Sequence, residues 1–191
     1  MTKWPTKYRV LKNQNIFSNG DFSLVPLRYE DRYNIMKWRN EQIYHLRQNK
    51  KLTKKEQDIY FKNVISKLFF DSKPEQLLFS FLDKDKLISY GGLVHISWTN
   101  KRAEISFVIK TELEKKYFKS LWSIFINLIE KIAFKKLKLN KIFVYAFDLR
   151  PHLYPILKKN GFNFEANLKK HVKVGKSFKD VIIYSKFNEN E

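Results

Sequence analysis

The chain has 191 residues, of which 43% are hydrophobic and 16% aromatic, enough for one substantial core and too apolar for a disordered chain. It has no apolar run near the roughly 18–20 residues of a membrane span, no apolar segment in its opening MTKWPTKYRV, and no cysteine. Those absences predict a cytoplasmic protein without disulfides or thiolate metal sites; the net charge of +19 raises an anionic partner.

No repeat or linker interrupts the chain, so one domain over 1–191 is expected, with 1–21 as an N-terminal extension. Asn19-Gly20 between two apolar stretches predicts a hairpin. RYEDRYNIMKWRN predicts a short helix starting near Glu30 and Asp31. A second helix follows in LTKKEQDIYFKNVISKLFF, where Thr53 and Glu56 fit a capping box and Ile59, Tyr60, Val64 and Leu68 give an apolar face. QLLFSFLD, KLISYGGLVHISW and RAEISFVIK then read as three strands. In the last, Ala103, Ile105, Phe107 and Ile109 share one face and Glu104, Ser106 and Val108 the other. A lysine-bearing loop leads into the longest predicted helix, roughly 117–137, striped by Leu121, Phe125, Leu128 and Ile132. KIFVYAF is a strand, PHLYPILKKNGF a short helix closed by Gly161, and two strands surround Gly175. Runs of strands with inserted helices predict an α+β fold with a mixed, mostly antiparallel sheet, and a βαβ crossover links strands 103–109 and 141–147.

Three stretches in this order resemble the GNAT superfamily of acyl-CoA-dependent N-acetyltransferases. Trp38-Arg39-Asn40 is similar to the WRN motif of the RimJ/RimL-like branch, which includes amino-sugar N-acetyltransferases. Gly91-Gly92-Leu93 with Ala103-Glu104-Ile105-Ser106-Phe107 resembles that branch's AEIGY-like strand. Leu157 to Phe162 (LKKNGF) resembles the family's LxxxGF helix ending. The resemblance spans about residues 22–187. It implies a central sheet flanked by helices, acetyl-CoA as co-substrate, and direct transfer in a ternary complex.

One part departs from the family pattern. Where the family carries an Arg/Gln-x-x-Gly-x-Gly/Ala loop for the CoA pyrophosphate, this chain has Lys115, Lys116, Tyr117, Phe118, Lys119 and Ser120. Glycine lets a backbone approach phosphate closely, but the unpaired N–H groups of a helix start supply most of the attraction. The expectation is that this segment still binds the pyrophosphate, with the lysines and the Ser120 hydroxyl compensating, or else is a helix start with a solvated lysine cluster. The pantetheine arm is expected, by resemblance, along the backbone of Phe107, Val108 and Ile109.

Amine acetylation needs a neutral amine and, often, an acid for the departing thiolate. Glu104 fits either a proton acceptor or a buried structural ion pair. His95 is a candidate for a direct role in proton transfer or is simply hydrogen-bonded. The family's tyrosine position is Leu157 here, so Tyr154, one turn earlier, is the candidate acid; its alternative is packing. Trp38, Arg39 and Asn40 resemble acceptor-side residues, with Arg39 suited to a phosphate or carboxylate and Trp98 to flanking a ring. Arg47 and Lys50–Lys51 extend the positive charge there.

The expected acceptor is a small-molecule amine, first the amino group of a nucleotide-linked amino sugar. The alternatives are the N-terminal amine of a ribosomal protein and a catalytically silent RNA- or protein-binding module. Only seven of the 38 basic residues are arginine, leaving 31 lysines spread along the chain, so the charge reads as a solvated surface and nucleic acid is not favoured. A monomer or homodimer is expected. His45, His95, His152 and His171 show no metal-ligand spacing, so no metal is expected.

Overall fold

Apolar runs separated by turns give three antiparallel strands in the middle of the chain, β3 (Leu77–Asp83), β4 (Lys86–Ser97) and β5 (Arg102–Ile109). The computed structural model describes residues 3–189, and the strands join in one eight-stranded sheet. A hairpin of β1 (Phe17–Asn19) and β2 (Phe22–Pro26) extends it beside β3. On the other side come β6 (Lys141–Phe147), β8 (Ser177–Phe187) and the edge strand β7 (Asn163–Val174). Every pairing is antiparallel except β5 with β6, the two strands that the crossover connects. This is the expected α+β architecture.

The Gly91-Gly92 pair follows from strand spacing. A Cβ at Gly92 would lie 1.9 Å from the Leu77 carbonyl oxygen, and one at Gly91 would lie 2.2 Å from that of Ser106. No larger residue fits either position without parting the sheet.

Helix α1 (Arg32–Glu41) and the loop after it lie over the sheet face that carries Glu104 and Ser106. Helix α2 (Lys54–Tyr60) begins with the expected Thr53–Glu56 capping box and runs through a π-turn (Phe61–Ile65) into α3 (Ser66–Leu68). Its buried face differs from the expected one. Gln57, Phe61, Ile65 and Leu68 point inward, whereas Ile59 and Val64 are 48% and 38% exposed. Two apolar stripes overlap in this segment, and the one carrying the bulky Phe61 takes the core.

The long helix α4 (Thr111–Glu130) packs on the opposite face, with Trp122 stacked on Phe107 at 4.5 Å. It starts six residues before the expected 117, so no lysine-bearing loop exists: Lys110 alone separates it from β5. Glu112-Leu113-Glu114-Lys115-Lys116 are good helix formers, and the two acids suit the positive end of the helix dipole. The helix ends in a π-turn (Lys131–Lys136). Helix α5 (Leu153–Lys159) closes as expected at Gly161, with φ +79° and Phe162 N–H donating to the Leu157 carbonyl at 3.0 Å.

Candidate active site

The pairing of β5 with β6 stops after three residues, Arg102, Ala103 and Glu104 against Lys141, Ile142 and Phe143. β5 continues to Ile109 and β6 to Phe147 with no strand between them, which opens a gap in the sheet. A strand residue points its N–H and C=O to the same edge, alternating along the chain. Lys110 N–H bonds back to Ile88 on β4 (2.9 Å), while the Ile109 carbonyl accepts from Gln42 Nε2 on the other edge (2.7 Å). The main-chain groups of Ile105 and Phe107 therefore face the gap. Of the expected trio only Phe107 is so placed. Val108 faces β4, its carbonyl accepting from Ser89 Oγ at 2.9 Å, and Ile109 has its carbonyl taken by Gln42.

The gap is one wall of a cleft of about 620 Å³. At its closed end the buried Glu104 is ion-paired with Arg47. The Arg47 guanidinium lies 4.4 Å from the Tyr145 ring centroid and 3.4 Å from His95 Nε2. His95 is exposed to the cleft at a bulge in β4 between Val94 and Ser97, with φ +50°. Towards the other end Arg150, just after β6, lies 3.6 Å from Glu114 and 5.5 Å from the Phe118 ring centroid. Burial holds Arg150 below its usual range despite Glu114.

Between these ends sits His45. Burial, and then the Arg150 charge, pull its pKa from the usual 6.5 to about 3, so the ring is neutral. Its Nε2 and the Trp122 Nε1 have no hydrogen-bond partner among the described residues. On the α1 side Arg39 donates to the Tyr90 hydroxyl (2.6 Å) and to Gln48 Oε1 (3.0 Å), and among the described residues no carboxylate pairs with it. Arg39 lines both the cleft and an adjoining cavity of about 300 Å³ beneath α1 and α2.

The structure leaves several expected site residues away from the cleft. Tyr154 stacks on Tyr184 and donates to Asp148 at 2.6 Å; burial and this bond raise its pKa, and α5 presents Leu153 to the cleft instead. Trp38 is core. Asn40 bonds Leu52 and Gln48, pinning the loop after α1. Trp98 donates to the Pro74 carbonyl at 3.1 Å. Lys115, Lys116, Tyr117, Lys119 and Ser120 lie on the exposed face of α4, since the segment is helix rather than loop, and Ser120 Oγ bonds the Tyr117 carbonyl. Phe118 alone of that group lines the cleft.

The residues that sequence reasoning missed are Ile105, His45, Trp122 and Arg150. Trp122 was hidden in the apolar stripe of α4, and His45 lies in a short 3-10 turn (Ile43–His45) without periodicity. A usable signal was arginine in a lysine-rich chain. Three of the seven arginines, Arg39, Arg47 and Arg150, line the cleft.

Comparison with known proteins gives one family. The acetyltransferase (GNAT) domain matches residues 24–183. Among solved structures, spermidine N-acetyltransferase from Vibrio cholerae in complex with CoA and spermine is similar, with a TM-score of 0.76 and 18% identity over 89% of this chain and 97% of that one. A dodecameric structure of the Vibrio cholerae enzyme gives 0.71 and 20% over 89% and 95%. A probable acetyltransferase gives 0.72 and 18% over 90% and 96%. At these identities the likeness concerns the fold. No curated protein matches the chain.

Proposed function

We propose, from the premise that the chain belongs to the GNAT acetyltransferase family, that its acceptor is an anionic amine, best represented by the amino group of a nucleotide-linked amino sugar. The coarser activity follows from the family: the protein is an N-acetyltransferase with acetyl-CoA as co-substrate. When bound, acetyl-CoA supplies the acetyl group as a thioester. The cleft fits its pantetheine arm, because Ile105 and Phe107 offer a free strand edge and two buried polar atoms beside it lack partners. Phosphates meet a different environment. The first turn of α4 carries Glu112 and Glu114, so Arg150 is the cation at the cleft mouth that would hold them.

The observation that carries the acceptor reading is Arg39, a largely enclosed guanidinium between two cavities that has no carboxylate partner among the described residues. Such a charge favours a phosphate, which it can grip by two parallel hydrogen bonds. The cleft's carboxylates are Glu75 and Glu104, and Arg47 already neutralises the second. A polyamine, the ligand named for the Vibrio cholerae structure, would find three arginines and one unpaired carboxylate there. The WRN and AEISF stretches support placing the chain with the RimJ/RimL-like and amino-sugar relatives.

We assign His95 to take the proton from the acceptor ammonium, since its ring opens to the cleft and to solvent. Glu104, committed to Arg47, acts as a positioning residue. The test is free-thiol release from acetyl-CoA across a panel of UDP- and dTDP-linked amino sugars, polyamines and an isolated ribosomal protein. Turnover confined to polyamines or to the protein would refute the assignment.

A further inference from the structure

The ladder between β6 and β8 ends at the pair Phe147–Val181. Beyond it the β7–β8 hairpin runs on as a two-stranded ribbon, with Val172–Lys179, Lys173–Phe178 and Val174–Ser177 paired only within the hairpin. Among the described residues no hydrogen bond or ion pair joins 172–179 to any other element. The base of the ribbon is pinned at a bulge, where 169–171 stand opposite Asp180 alone. Asp180 accepts from the Lys170 N–H at 2.9 Å and from Lys169 Nζ at 2.8 Å.

This ribbon gathers charge that is elsewhere diffuse. Five of the eleven residues 169–179 are lysine and none is acidic, against 31 lysines in 191 residues overall. Only Lys169 has a carboxylate partner among the described residues, which leaves Lys170, Lys173, Lys176 and Lys179 unpaired. Lysines guard free strand edges against pairing, but a guard does not call for the Phe178 side chain, which is 60% exposed among them. Lys173 and Phe178 are directly paired, so an ammonium and an aromatic ring share one face of the ribbon.

We propose that this ribbon docks the protein on an anionic lipid surface, with the four lysines at the headgroups and the Phe178 ring between them. A second copy would bring like charges together. Single-stranded nucleic acid is held in basic grooves by successive aromatic platforms and arginine. The ribbon has one exposed aromatic, no arginine and no groove. A fluid anionic surface needs only hydrated point charges and one apolar wedge, which this ribbon has.

Cosedimentation of the full-length protein with vesicles tests the docking, using phosphatidylglycerol and phosphatidylcholine in equal parts and phosphatidylcholine alone. The wild type should bind the anionic vesicles and not the neutral ones. K170Q/K173Q/K176Q/K179Q should weaken binding at least about tenfold, since each lysine near such a surface contributes about fivefold. The charge-matched control K115Q/K116Q/K119Q/K158Q, on exposed helix faces, should change it less than about twofold. Phe178→Ser should weaken it about three- to tenfold at unchanged net charge. The ribbon stands off the core, so an unchanged urea midpoint is expected of every variant. A wild type that ignores anionic vesicles, equal losses in the two lysine sets, or a Phe178→Ser variant that binds like the wild type would overturn the proposal. Binding of oligouridine tighter than of vesicles, and lost in the ribbon variant, would assign the ribbon to nucleic acid instead.

Discussion

Glu104 and Arg47 are ion-paired where the β5–β6 ladder ends, so the closed end of the cleft carries a fixed guanidinium rather than a free carboxylate. Glu104 is 7% exposed, and its burial is tolerable because Arg47 compensates its charge. Arg47 in turn is held over Tyr145 and beside His95. Under the proposed acceptor reading, Arg47 grips the anion and His95 handles the proton.

Those two roles separate kinetically. Glu104→Gln should raise KM for the acceptor about tenfold by loosening Arg47, with the shape of the pH–kcat profile retained. His95→Gln should lower kcat by about 10²-fold with KM for the acceptor nearly unchanged. Arg47→Ala strands a buried carboxylate and should cost about 1–3 kcal/mol in urea unfolding. A Glu104→Gln variant whose kcat collapses at unchanged KM would return the proton-accepting role to Glu104.

Arg39 gives a cleaner test of the acceptor's charge. Arg39→Gln should raise KM for an anionic acceptor by about ten- to a hundredfold, as expected for one charge-assisted bidentate contact, and leave KM for acetyl-CoA unchanged. An equal effect on both substrates would mean that Arg39 is structural.

The helical start of α4 can be checked by placing glycine on its exposed face. Lys115→Gly with Tyr117→Gly places two glycines inside α4, at about 1 kcal/mol each, so the double variant should lose about 2 kcal/mol of stability. It should gain no affinity for CoA. Tighter CoA binding at undiminished stability would show that the segment acts as a phosphate loop after all.

His45 gives the fold an acid sensitivity. Its ring titrates near 6.5 when unfolded and at about 3 when folded. Between those values the unfolded state holds one more proton, so stability from this site falls as pH falls from 6.5 towards 3. The slope for one proton is about 1.4 kcal/mol per pH unit. Arg150 and His152 share its surroundings. In urea titrations His45→Phe should therefore lose less stability than the wild type between pH 6.5 and 4.5; parallel losses would contradict the assignment.

Much of the fold was legible because turn-bounded apolar runs mark β3 and β4, β5 alternates in sequence, Thr53 and Glu56 cap α2, and Gly161 ends α5. The βαβ crossover was readable too, but not the place where the sheet splits after Glu104. What the sequence obscured was side-chain direction and one helix start. Tyr154 and Trp98 are aromatic residues in suitable positions along the chain, yet each hydrogen-bonds away from the cleft. The family pattern suggested a loop at Lys115, whereas helix propensity across 112–116 carries α4 through it. His45 and Arg150 meet only through tertiary packing, 105 positions apart, which no local pattern encodes.

The most direct test compares kcat/KM for acetyl transfer to a UDP-linked amino sugar, to the same amino sugar without the nucleotide, and to spermidine. With Arg39 and Arg47 gripping phosphate, the nucleotide-linked sugar should exceed each of the others by at least about a hundredfold, with the advantage shrinking as salt is raised. Spermidine turning over as fast as or faster than the nucleotide-linked sugar, with no salt-dependent advantage for the phosphate-bearing acceptor, would contradict the account.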